Sequence, residues 1–357
     1  MRSLLHTISR KPRGVVITHI GMHKTGSTSI QDAFQGYDDG RLRYARLIEP
    51  NHSIPIYTAF SCDASNYHIW QRIGFGKRDI EDKAKEYRNA LQSELRKNRM
   101  ELLISGEDIG LLNDEEKRKY IEFVAQHRVT HRVVMFARSP VSFVGSMIQQ
   151  QIRGNSFTER RLRTDYRRRI HTFQEVLGKE NMRVLDYDAA VRGGRSVVQT
   201  FASLVDANVD VTARSNPSHS LRALSVIYAL NKAPLTVFGE AEMIRTRQRI
   251  VDLIVKAFSS DGGRERLDES MVVGLADPQI ERDCDYLRDE FGIDYPFRRE
   301  GDELPDVDAY FADVMGDPSN ELVGMFDKVG AKYDRESSVP ENFAALYLHL
   351  SARTVGD

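Results

Sequence analysis

The stretch Gly14–Gln31, GVVITHIGMHKTGSTSIQ, constrains this chain more than any other segment. Gly14–Ile20 is a short β-branched run that reads as a strand. A turn rich in Gly and Ser/Thr follows and carries Lys24, and a helix is expected from about Thr25 to Phe34. A turn of this composition lets backbone N–H groups point inward, and the helix behind it adds the positive end of its dipole. The segment therefore reads as an anion site at the junction of a strand and a helix. Which anion it takes depends on the rest of the sequence.

The alternation of strand and helix continues downstream. Residues 36–79 read as loops and short elements, and Glu81–Asn98 as a charged amphipathic helix. Glu101–Ser105 is a second strand that stops at GEDIG. Asn113 and Glu116 then look like the cap of a helix running to about Gln126. His131–Ala137 is a third strand feeding a helix after Pro140, and Asn181–Asp188 is a fourth. An Arg-rich helix is expected from about Thr158 to Leu177 between them. From Ser196 to about Val329 the pattern is almost wholly helical. Alternating strands and helices predict an α/β fold, a central parallel sheet flanked by helices, with a mostly helical C-terminal half. The expected division is a core over 14–231 and a helical extension over 232–357 packed on it as one structural domain.

Composition narrows the function classes. The formal net charge of −1 argues against a general nucleic-acid binder, so any basic chemistry must be local. Two cysteines, Cys62 and Cys284, form no CxxC and no disulfide framework, which fits a reducing compartment. The opening MRSLLHTISRKPR lacks an apolar stretch of useful length, and no apolar run approaches the ~18 residues a membrane span needs. A cytoplasmic protein without a membrane span is expected.

The anion loop is not a standard Walker A loop, which places Lys after the last Gly in GxxxxGK[ST]. Here Lys24 precedes Gly26 by two residues. The third strand ends in FARSP, with Arg138 where a metal-holding carboxylate would be wanted. The pattern points to an anion gripped by protein cations without a required metal.

At these residues the chain resembles the sulfotransferases that use 3′-phosphoadenosine 5′-phosphosulfate (PAPS). Lys24-Thr25-Gly26-Ser27-Thr28 reproduces the family's 5′-phosphosulfate loop, and Arg138 with Ser146 matches its 3′-phosphate pair in residue type and spacing. SGE after a strand, RVLDYD before a helix, and Arg214–Asn231 look most like bacterial members acting on carbohydrates. The resemblance spans about 14–231 and is weak beyond about 240. It implies a P-loop-like core, PAPS as sulfuryl donor, the bisphosphate PAP as product, and a carbohydrate or other hydroxyl or amine acceptor. It also implies a site without metal.

Under that resemblance the backbone around Gly26–Thr28, with the hydroxyls of Ser27 and Thr28, cradles the phosphosulfate, and Lys24, Thr25 and Ser29 of the same loop are counted among the cofactor-binding residues. Lys24 follows charge onto the leaving oxygen. Arg138 offers a rigid donor fork to the 3′-phosphate, and Ser146 adds a hydroxyl. Arg214 and Asn216 resemble a segment near the nucleotide. Glu107, after a strand of the same sheet, is the expected base, with Asp108 and His23 as rivals. The alternative for Glu107 is a loop carboxylate or a helix-cap partner, and His19 and His23 read as packed or solvent-facing rather than metal ligands. The run Arg153–Arg169 holds seven arginines and no lysine, which suits either a solvated helix face or an approach path for an anionic glycan. Two other classes stay open: a P-loop small-molecule kinase, and a non-catalytic binder of a nucleotide or an anionic glycan.

Overall fold

The computed structural model describes residues 14–97, 100–127, 129–210, 220–235, 240–258, 266–299 and 301–354. Five strands pair into one sheet: β1 (Gly14–His19), β2 (Leu42–Tyr44), β3 (Glu101–Ser105), β4 (Val129–Ala137) and β5 (Met182–Asp186). Their order across the sheet is β2-β3-β1-β4-β5, and every pairing is parallel. The α/β class expected from the sequence is the class the chain adopts. β2 escaped the sequence reading because three residues are too few to show a period of two.

Helices fill the connections, as parallel neighbours require. Through the sheet region they are α1 (Ser27–Phe34), α2 (Ser53–Phe60), α3 (His68–Ile73), α4 (Lys77–Arg96), α5 (Asp114–Ala125), α6 (Pro140–Arg153), α7 (Tyr166–Leu177), α8 (Tyr187–Ala190) and α9 (Val197–Leu204). Beyond it come α10 (Leu221–Leu230), α11 (Glu240–Ala257), α12 (Glu269–Gly274), α13 (Gln279–Phe291), α14 (Val307–Met315), α15 (Ser319–Asp327) and α16 (Val339–Thr354). Asn113 and Glu116 form the expected reciprocal cap of α5: the Asn113 side chain accepts from the Glu116 N–H, and the Glu116 carboxylate accepts from the Asn113 N–H. None of the helices among the described residues is long and apolar enough to cross a membrane.

The Arg-rich helix expected from Thr158 is a correction. Helix α7 starts only at Tyr166, behind Asp165 in a left-handed conformation. Asn155 is left-handed as well, and Leu162 bridges to the segment at Ala276, donating to the Leu275 carbonyl and accepting from the Asp277 N–H. Those backbone groups go to a distant segment and not to a helical ladder, so Arg160, Arg161 and Arg163 lie outside any helix.

The described residues fall into two compact units that interleave along the sequence. One draws its described residues from 14–140, 164–210 and 279–297 and holds the whole sheet; the other draws its described residues from 141–163, 220–278 and 298–354. In the first unit, alternation along the strands gives each face of the sheet its own core. Ile17, Leu103, Val134 and Phe136 pack with Ile30 and Phe34 of α1 and with Val197, Val198 and Phe201 of α9. The Phe34 and Phe201 rings meet edge to face at 5.4 Å, and the His19 ring lies 5.2 Å from Phe201. On the opposite face, Thr18 Oγ1 lies 2.9 Å from both Tyr120 Oη of α5 and His131 Nε2.

Phe201 is wholly buried at the centre of the first face. Truncation to Ala is expected to lower unfolding stability by about 3–5 kcal/mol, read by urea denaturation. The partly exposed Leu204 of the same helix serves as comparison, and an equal loss there would contradict this account of the core.

Candidate functional site

In a parallel sheet all strands end on one side, and ligands of open α/β folds bind outside those carboxyl ends. Here β1 lies between β3 and β4, with His19 opposite Ser105 on one side and Val134 on the other. The turn after β1 is therefore flanked by the turn that begins at Glu107 and by Arg138 just past β4. The pairing also extends into the turn. Phe136 N–H donates to Gly21 O at 2.8 Å, and Met22 N–H donates to Phe136 O at 3.2 Å.

The loop is held in shape by its own small residues. Thr25 Oγ1 donates to Met22 O at 2.6 Å and Ser27 Oγ to the same carbonyl at 3.1 Å, and both side chains are buried. In the fold these two hydroxyls tie the turn together, Ser27 being one of the two that the sequence reading assigns to the cradle. Thr28 is exposed and Ser29 half-buried at the start of α1. Gly26 precedes α1 with φ 74°, and a methyl group there would meet Val197 Cγ1 at 2.6 Å, so glycine is required twice over. Gly21, at φ 87°, allows an equally close approach: a methyl group there would lie 2.8 Å from Glu107 Cβ. The loop and the Glu107 turn are thus in direct contact.

Arg138 anchors the loop from the other side. Its Nη1 donates to Lys24 O at 2.7 Å, holding Lys24 at φ 63°. The guanidinium lies 5.4 Å from the Tyr187 ring centroid. Its own carbonyl accepts from the Tyr166 hydroxyl, and the preceding Ala137 carbonyl accepts from the Tyr295 hydroxyl at 2.8 Å. No periodicity or motif marks these two tyrosines in the sequence.

Glu107 and Asp108 open a short 3-10 turn, Glu107–Leu111, directly after β3. His23 Nε2 stands 2.9 Å from Asp108 Oδ1, an ion-pair contact, and 3.8 Å from Glu107 Oε1. Tyr67 Oη donates to Asp108 Oδ2 at 2.6 Å, and the Asp108 N–H donates to Ser53 Oγ at 3.1 Å. Burial is the largest influence on the Asp108 carboxyl and pushes it up, but His23 and Tyr67 outweigh it and hold it below its ordinary value. Burial, with Asp108 next to it, keeps the Tyr67 hydroxyl far above its usual range, so it stays a donor. With both oxygens of Asp108 engaged and its side chain 7% exposed, Glu107, at 24%, is the more available carboxylate. Tyr67 was missed in the sequence because nothing in residues 36–79 distinguishes it from a core aromatic.

The donor set suits a multiply anionic ligand: backbone N–H groups opening α1, the Thr28 hydroxyl, and the Lys24 and Arg138 cations. The structure brings Lys24, Thr25, Gly26, Ser27, Thr28, Ser29, Glu107 and Arg138 to one sheet edge. Ser146 is half-buried on α6 within the second unit. Arg214 and Asn216 lie outside the described residues.

No family profile matches the chain, and no curated protein matches it in sequence. Among solved structures, it is similar to a sulfotransferase from Alicyclobacillus acidocaldarius. That pair shares 12% identity over 62% of this chain and 93% of the other, with a TM-score of 0.35. It is also similar to the sulfotransferase domain of the Synechococcus PCC 7002 olefin synthase, at 12% identity, 71% and 97% coverage, and a TM-score of 0.33. Both likenesses are slight.

The lowered Asp108 carboxyl has a consequence for stability. Its contribution is present above the ordinary value of 3.8 and is lost as pH falls through the depressed folded value. Wild type is therefore expected to lose stability between about pH 5 and pH 2 more steeply than Asp108→Asn, measured by urea unfolding across that range. Parallel curves would show that the His23 and Tyr67 contacts do not hold the charge.

Proposed function

We propose that this chain is a sulfotransferase that moves the sulfuryl group of PAPS to a hydroxyl of a carbohydrate acceptor by in-line displacement. What supports this reading is the meeting of three strand ends at one sheet edge, with a glycine-bound cation loop between a carboxylate and an arginine.

In this reading the α1 N-terminus and the Thr28 and Ser29 hydroxyls hold the 5′ end of the donor, and Arg138 holds its 3′-phosphate. PAPS supplies an activated sulfuryl group whose leaving oxygen gains negative charge. Lys24, a compact and mobile cation, neutralises that charge. Glu107 takes the proton of the acceptor hydroxyl, while Asp108 stays ionised against His23 and Tyr67. Ser146, Arg214 and Asn216 belong to the nucleotide site by resemblance alone.

Ligand-dependent melting separates this reading from its rivals. The 3′,5′-adenosine bisphosphate at 100 times its dissociation constant should stabilise the protein by about 2.7 kcal/mol. A response to ATP–Mg²⁺ alone would instead indicate a P-loop kinase, and a response to the bisphosphate without turnover of labelled PAPS on any glycan would indicate a binder.

Substitutions test the individual roles. Lys24→Ala is expected to lower kcat by about 10²–10³-fold. Glu107→Gln should lower it by about 10²–10⁴-fold with the bisphosphate affinity preserved. A Glu107→Gln enzyme with wild-type turnover would remove that residue from the mechanism.

A further inference from the structure

Successive backbone groups at the end of β4 are held by side chains from remote segments. Ala137 O accepts from the Tyr295 hydroxyl at 2.8 Å, Arg138 O accepts from the Tyr166 hydroxyl, and the Ser139 N–H donates to Asp188 Oδ2 at 2.8 Å. Buried backbone polar groups need partners, and a chain leaving a strand no longer finds them in the ladder. Both phenols are buried, and burial holds their hydroxyls well above the ordinary value, so both stay donors. Their rings lie 6.4 Å apart. Tyr295 Oη also stands 2.9 Å from Asp186 Oδ1, and Asp186 is the residue paired with Ala137 in the sheet. This one hydroxyl therefore ties the ends of β4 and β5 together.

Both tyrosines owe their places to α13 and the residues just after it, a segment that belongs to the sheet-bearing unit. Helix α7 opens behind Asp165, whose side chain makes no cap. Asp283 of α13 takes that role: its Oδ2 accepts from the Tyr166 N–H at 2.8 Å and from Thr164 Oγ1 at 3.1 Å. Tyr295 follows shortly after α13 ends. The Arg138 side chain is fixed within the same unit, with Nη1 donating to Lys24 O at 2.7 Å and the guanidinium 5.4 Å from the Tyr187 ring centroid. With Nη1 committed, the direction of the donor fork depends on where the Arg138 backbone stands. A planar fork grips phosphate best when aligned, and alignment in advance removes an ordering cost from binding.

We propose that Tyr295, with Tyr166 beside it, is a positioning residue that sets the Arg138 fork and so selects nucleotides carrying a 3′-phosphate. This rests on the reading of Arg138 as the 3′-phosphate group. A nucleotide without that phosphate does not use the fork, so its binding is indifferent to Tyr295.

The test compares the full chain with Tyr295→Phe, which removes one hydroxyl and keeps the ring. Calorimetry gives the affinities for 3′,5′-adenosine bisphosphate and for adenosine 5′-monophosphate. The bisphosphate should bind about tenfold more weakly and the KM for PAPS should rise with it, while the monophosphate affinity and kcat stay unchanged. Tyr166→Phe should give the same pattern, and it serves alone if Tyr295→Phe does not fold. Tyr120→Phe removes a buried hydroxyl from Thr18 on the opposite face of the sheet, and should lower stability with both affinities unchanged. Equal weakening of both nucleotides, or of neither, overturns the proposal, and so does the same bisphosphate loss in Tyr120→Phe. Wild type that does not prefer the bisphosphate overturns the phosphate selection together with the reading it rests on. The positioning is then judged by the ¹⁵N guanidinium signals of Arg138, assigned through Arg138→Lys. Rotation about its Cζ–Nη bonds should speed up in Tyr295→Phe, and unchanged rotation overturns the positioning as well.

Discussion

Parallel pairing of β1 with β3 on one side and β4 on the other is the constraint from which the candidate site follows. It brings the segments at Glu107 and Arg138, 83 and 114 residues beyond Lys24 in sequence, to one strand spacing on either side of the loop, about 5 Å per step. The loop after β1 does not merely sit between its neighbours. It is bonded to the end of β4 through Gly21 and Met22, touches the Glu107 turn at Gly21, and is clipped by Arg138 at Lys24. Groups that are to meet one ligand need a fixed mutual orientation, and here the backbone of the sheet does that fixing.

The polar residues of the site divide by what they can reach. Thr25 and Ser27 are buried and turn their hydroxyls onto one carbonyl, so they stiffen the loop. Asp108 is buried and doubly engaged, so it stays charged without being available. Thr28, Lys24, Glu107 and Arg138 are the groups at least partly open to solvent. Burial, more than residue type, separates the supporting side chains from those able to meet a ligand.

The strand–turn–helix of the loop, the Asn113 cap and the strands β1, β3 and β4 were legible because each is a local pattern: β-branched runs, glycine-rich turns, and a side chain three residues from the N–H it caps. The Arg-rich segment was misread for the complementary reason. Its composition favours a helix, yet the backbone at Leu162 bonds to a segment more than 110 residues later. Local propensity loses to a long-range partner that no window of sequence contains.

Sequence alone determined the order of elements and the identity of Lys24, Glu107 and Arg138 as groups worth placing together. The order of elements follows from short-range periodicity and Lys24 from the chemistry of an anion-binding turn, whereas Glu107 and Arg138 were singled out with the help of the sulfotransferase resemblance. Tertiary structure alone decided that Tyr67 and His23 hold Asp108, that Arg138 grips the loop through the Lys24 carbonyl, and that Arg169 is buried while Arg167 and Arg168 face solvent. The reason is physical: hydrogen-bond partnership and burial depend on distances between remote segments, which become defined only when the sheet closes.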